Sequence, residues 1–185
     1  LFWLYLAGSA LVAAGYADFP LLALHLERQG EVAASWLPAI YAVAMGVDAL
    51  AALAVGKAYD KIGLRSLALI PFVTLLLPFL AFSQQYGLVV VSVVLWGVVM
   101  AGHETVMRAA IAELIPIERR AFAYGIFNTI YGAAWFVGGA LLGLVVDLSR
   151  LWLIVYVIGI EAAALLVFWQ MRRRALALAQ FQSGA

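Results

Sequence analysis

Gly56-Lys57-Ala58-Tyr59-Asp60-Lys61-Ile62-Gly63-Leu64-Arg65 separates two long apolar runs, about Ala33 to Tyr59 and about Leu67 to Phe82. A bilayer hydrocarbon core about 30 Å thick takes roughly 20 apolar helical residues per crossing. Two runs of that kind joined by a short basic stretch read as a transmembrane helical hairpin. Gly63 supplies the tight turn, and the cationic side chains hold the connection at the membrane surface. Asp60 suits the positive end of a helix dipole.

Outward from this hairpin the pattern repeats. A first crossing is predicted from about Phe2 to Leu26, and a fourth from about Tyr86 to Leu114, stopped by Pro116. The fifth runs from about Ala121 to Val146 and the sixth from about Leu151 to Met171. Hydrophobic residues make up 67% of the chain and charged ones only 11%, too apolar a balance for a soluble core with a polar surface. Backbone groups in hydrocarbon must pair within their own segment, so the crossings are helices rather than open strands or coil. The fold expected is an all-α membrane protein: one six-helix bundle over 1–185, with 176–185 as a cytoplasmic tail. The chain starts at Leu1 with no basic region or small-residue cleavage site ahead of the first run. No signal peptide is therefore expected, and the natural start is expected to lie upstream. A net charge of +1 points to no nucleic-acid partner, and the absence of cysteine excludes disulfides, thiol catalysis and thiolate metal sites.

The basic residues are distributed unevenly. Lys57, Lys61, Arg65, Arg108, Arg119, Arg120, Arg172, Arg173 and Arg174 fall at one end of the bundle, Arg28 and Arg150 at the other. The positive-inside rule makes the first end cytoplasmic, with both termini there. Trp36, Tyr86 and Trp152 are placed at the outer boundary and Trp3, Tyr59 and Trp169 at the inner one, as aromatic anchors.

The second crossing ends Gly56-x-x-x-Asp60 with Arg65 following, and the fifth ends Gly143-x-x-x-Asp147 with Arg150 following. These are the middle helices of two three-helix units, about 1–83 and about 84–175. An odd number of crossings per unit makes the units inverted, an arrangement characteristic of secondary transporters. The same two helices carry small residues at helical spacing, Gly46 in one and Gly132, Gly139 and Gly143 in the other. Such residues let helix backbones approach closely, either within the bundle or against another bundle.

The loop Gly56, Asp60, Lys61, Gly63, Arg65 resembles the signature loop of the major facilitator superfamily, with Leu64 standing where a basic residue is usual. The stretch Pro116-Ile117-Glu118-Arg119-Arg120, followed by Gly125, Asn128, Tyr131, Gly132 and Trp135, is similar to the carboxyl-terminal half of prokaryotic members. The resemblance covers nearly all of the chain. It implies one six-helix half of a transporter, helices two and five facing the other half, and a solute path between halves opened alternately to each side. It also implies that the loop residues act as a conformational latch.

Charged groups within the membrane are costly unless paired or facing water, so each is a functional candidate. Asp18 lies beside Gly15 and Pro20, a pattern that reads either as a loosened helix leaving carbonyls for a ligand or as a local bend at the outer surface. Asp48 faces the interface or cavity on the family's plan, or forms an interhelical hydrogen bond. Glu104 and Arg108 are four apart on one helix face and form a candidate ion pair. His103 is a candidate proton carrier. Asn128, Tyr131 and Trp135 share one face as cavity-lining groups or packing partners, and Glu161 reads as a buried structural partner. With two histidines in the chain, neither a metal site nor a cofactor is expected.

The leading expectation is transport of a small solute by alternating access, possibly proton-coupled, by a second copy pairing with the first or by two complementary six-helix halves. The alternative is a non-transporting scaffold that binds another membrane protein. No nucleophile–base arrangement supports an enzyme.

Overall fold

The computed structural model describes residues 1–17, 19–28, 33–83 and 85–183, with the side chains of Arg28, Tyr86, Asp147 and 178–183 outside that description. Among these residues the secondary structure is helical. The helices are α1 (Phe2–Gly15), α2 (Phe19–Arg28), α3 (Leu37–Ile62), α4 (Leu69–Thr74), α5 (Leu77–Ala81), α6 (Tyr86–Leu114), α7 (Arg120–Leu148) and α8 (Arg150–Ser183), with short 3-10 turns before α3, α4 and α7.

Five continuous stretches are long and apolar enough to cross a membrane. One of them, Ala34–Ala81, has 48 residues, more than twice the length of a crossing. It doubles back at Gly63, whose φ of 57° lies in the left-handed region open to glycine. Packing on α6 shows the reversal. Ala44 lies against Gly97 and Gly56 against Thr105, so α3 runs parallel to α6. Ile70 lies against Gly102, while Leu77 and Ala81 line one cavity with Ser92 and Trp96, so α4 and α5 run antiparallel to it. The described residues therefore make six passes.

Two crossings are not the single helices expected. The first breaks between α1 and α2. The third breaks at Leu75–Leu76 because Pro78 has no N–H to donate to the Thr74 carbonyl and its ring crowds that turn. The Thr74 hydroxyl bonds back to the Ile70 carbonyl at 2.9 Å just before the break. At the other extreme α8 continues as one helix through the expected tail, to Ser183.

The two halves of the chain interlock in corresponding pairs. The second crossing (α3) packs on the fourth (α6), and the fifth (α7) packs on the first (α1). The third (α4 and α5) packs on α6, and the sixth (α8) on α1. Exchanging first with fourth, second with fifth and third with sixth leaves the pairing pattern unchanged, as an inverted repeat requires. Burial follows this plan. In the apolar window of the fourth crossing 56% of residues are buried, in that of the fifth only 11%. In α3 the sole buried residue is Ala44.

Candidate functional site

The exposed side of the bundle is bounded by α3 and α7, with α6 between them. In the second half of α6, toward the basic end, Glu104 and Arg108 stand one turn apart on its exposed face, the spacing a candidate ion pair needs. Asp48 of α3 is half-buried within electrostatic reach of Glu104, and its Oδ1 is buried with no hydrogen-bond partner among the described residues. On α7, Asn128 is exposed and Tyr131 is half-buried, with the Tyr131 hydroxyl in the field of both Arg108 and Glu104. Groups from three helices thus gather on one face. Asp18 lies outside the described residues.

His103 points the other way, because neighbouring residues on a helix diverge by about 100°. It is buried, its ring 4.6 Å from that of Tyr16, and its Nδ1 shares a hydrogen bond with the Tyr131 hydroxyl. Tyr131 therefore connects the buried imidazole to the exposed charged face. Aromatic rings extend the wall on both sides. Trp135 lies 5.9 Å and Phe127 5.2 Å from Tyr131, and Tyr16 stacks on Trp96 at 5.7 Å.

Sequence reasoning passed over Tyr16 and Trp96, whose place is set by the break after α1. Two carbonyls at the break are engaged within the chain. Tyr156 donates its hydroxyl to the Ala14 carbonyl at 3.1 Å, and Trp96 donates its indole N–H to the Ala17 carbonyl at 3.0 Å. Carbonyls freed at a helix end inside a membrane need such partners. Glu161 is fully buried where α8 meets this break: a side chain at Gly15 would come within 2.6 Å of its Oε1. Neither Glu161 oxygen has a hydrogen-bond partner among the described residues.

At the basic end, the loop after α3 is anchored by Glu113 of α6, a residue that sequence reasoning passed over. Tyr59 donates its hydroxyl to Glu113 of α6 at 2.5 Å, and the same carboxylate lies beside Gly63. Ser66 donates to the Gly63 carbonyl at 2.7 Å, closing the turn. Gly56 contacts Thr105, whereas Asp60, Lys61 and Arg65 are exposed.

The small residues divide into two sets. A Cβ at Gly46, Gly132, Gly139 or Gly143 would meet nothing within 4 Å, so these positions make no close approach within the bundle. Gly132 and Gly139 line an open groove of about 640 Å³ beside Trp135 and Phe136. The close approaches fall elsewhere: a Cβ at Gly97 would lie 2.5 Å from the Ala44 carbonyl oxygen, and one at Gly138 would overlap the backbone of Ala14.

Residues 3–183 match the family described as Major Facilitator Superfamily. The chain belongs to the major facilitator superfamily. This major facilitator chain is 39% identical over 171 residues to the uncharacterized protein Mb2288 of Mycobacterium bovis and to the uncharacterized protein Rv2265 of Mycobacterium tuberculosis. Each match covers 92% of this chain but 42% of the relative. The chain thus spans less than half the length of these relatives. No solved structure matches it significantly.

Proposed function

We propose that this chain is one half of a solute transporter that works by alternating access, the path running between its α3–α6–α7 face and a second six-helix bundle. The observation that carries the reading is that Asp48 of α3 lies within electrostatic reach of Glu104, and Tyr131 of α7 within reach of Glu104 and Arg108, on a side that no described residue covers. A charged side chain facing lipid near mid-bilayer costs on the order of 2.5–3.5 kcal/mol, so this side is suited to water and solute. The uncovered small residues of α3 and α7 fit the seam with the second bundle, which is either a complementary half or another copy. A proton is the proposed coupling ion, with His103, Asp48 and Glu104 as its candidate carriers. The basic end is proposed to face the cytoplasm, with Gly56, Asp60, Lys61, Gly63 and Arg65 as a latch that loosens and re-forms during the cycle.

The test is uptake into proteoliposomes, screened over sugars, amino acids and organic ions with and without a pH gradient. The reading expects gradient-dependent uptake of at least one solute class, lost in Glu104→Gln and slowed in Asp60→Asn. The same uncovered side also suits a scaffold docked on another membrane protein. Capture of a partner at fixed stoichiometry, with no uptake of any solute, would replace the transporter reading with that one.

A further inference from the structure

Between the 3-10 turn Gly63–Ala68 that follows α3 and the helix α8, away from the polar face, runs an open groove of about 690 Å³. Leu64 and Ala68 form one wall; Ala162, Leu166 and Trp169 form the other. Arg65 and Arg172 close it at the basic end, both exposed, and no carboxylate is among its lining residues. The guanidinium of Arg173 lies 4.8 Å from the centre of the Trp169 ring, adding a third cation at this mouth. From Ala162 to Arg172 the groove wall rises by roughly 15 Å at helical pitch, which is the depth of one leaflet of the hydrocarbon core.

We propose that this groove is a binding site for an anionic phospholipid, its phosphate held between Arg65 and Arg172 and an acyl chain lying along α8. Any lipid tail satisfies the apolar walls. The arginines add the selection, because guanidinium groups match phosphate oxygens in geometry as well as in charge. Arg65 and Arg172 also line an adjoining pocket of about 240 Å³ that contains Glu113. That carboxylate accepts a hydrogen bond from the Tyr59 hydroxyl at 2.5 Å, and it is not among the residues lining the groove itself. The site needs only that the protein spans a membrane, and stands apart from the transport reading.

The experiment is native mass spectrometry of the purified protein in detergent, with phosphatidylglycerol or phosphatidylcholine of identical acyl chains added. Phosphatidylglycerol is expected to be retained in preference. Arg172→Gln should lower that retention by roughly fivefold, the effect of one basic residue beside an anionic headgroup. Arg119→Gln, which removes a charge from the same end but outside the groove, should leave it unchanged. Ala162→Trp fills the groove and should abolish retention without lowering the melting temperature. Equal retention of the two lipids, or equal losses in Arg172→Gln and Arg119→Gln, overturns the proposal. So does a dimer that Ala162→Trp dissociates, which would put a second copy in the groove.

Discussion

Gly138 and Gly132 sit less than two turns apart on α7 and behave as opposites. Gly138 is buried against the backbone of Ala14, where even one added methyl overlaps main-chain atoms that cannot swing aside. Gly132 looks onto open space. Gly138→Leu is therefore expected to destabilise the purified protein by about 1–3 kcal/mol, the usual cost of overpacking. Gly132→Leu should shift stability by no more than about 0.5 kcal/mol. Thermal unfolding in detergent compares the two, and equal losses would show that α7 does not lie on α1 as described. Small-residue spacing in the sequence identifies α7 as a helix built for close contact. It does not say which glycine makes the contact, because that depends on the rotation of α7 about its own axis.

The termini of the helices depend on side chains reaching back to orphaned carbonyls. Arg120 donates from Nη2 to the Ala112 carbonyl at 2.6 Å and from Nε to the Ile115 carbonyl at 3.1 Å, capping the end of α6 before Pro116 stops it. Hydrogen bonds from a charged donor contribute about 1.5–3 kcal/mol each. Arg120→Met should therefore fray the last turn of α6, seen as faster amide hydrogen exchange over residues 111–115 with the middle of the helix unchanged. No change in exchange there would mean that water satisfies those carbonyls as well as Arg120 does. Helices, their order and the turn at Gly63 were legible from runs of apolar residues and from glycine and proline chemistry. The tethers were not, since Tyr59–Glu113 and Tyr156–Ala14 join residues far apart in the chain whose types alone carry no address.

For the whole molecule, the uncovered α3 and α7 faces make a prediction that needs no knowledge of the solute. The chain has no cysteine, so a single one introduced at Gly46 or Gly132 is a clean reporter. In membranes where the chain has no second bundle beside it, a water-soluble maleimide should label both positions through the polar side. Leu166→Cys, on the lipid-facing groove, should resist the reagent. Supplying the complementary half should protect Gly46→Cys and Gly132→Cys. Failure of that half to protect either position would place the seam on other helices.

Membrane residence, helicity, six crossings and the basic loop after the second of them follow from local chemistry: unpaired backbone groups cannot face hydrocarbon, and apolar length sets the crossings. The resemblance of the loop and of the Pro116–Trp135 stretch was likewise readable residue by residue, and the family match agrees with it. Tertiary structure alone decided which polar groups share a face. It turned His103 inward onto Tyr16 while Glu104, its neighbour, faces outward with Asp48 and Arg108. It also pushed Glu161 against the break after α1. The physical reason is that hydrophobicity along the chain sets depth in the membrane, whereas the direction of a side chain around its helix axis is set by packing with neighbours distant in sequence.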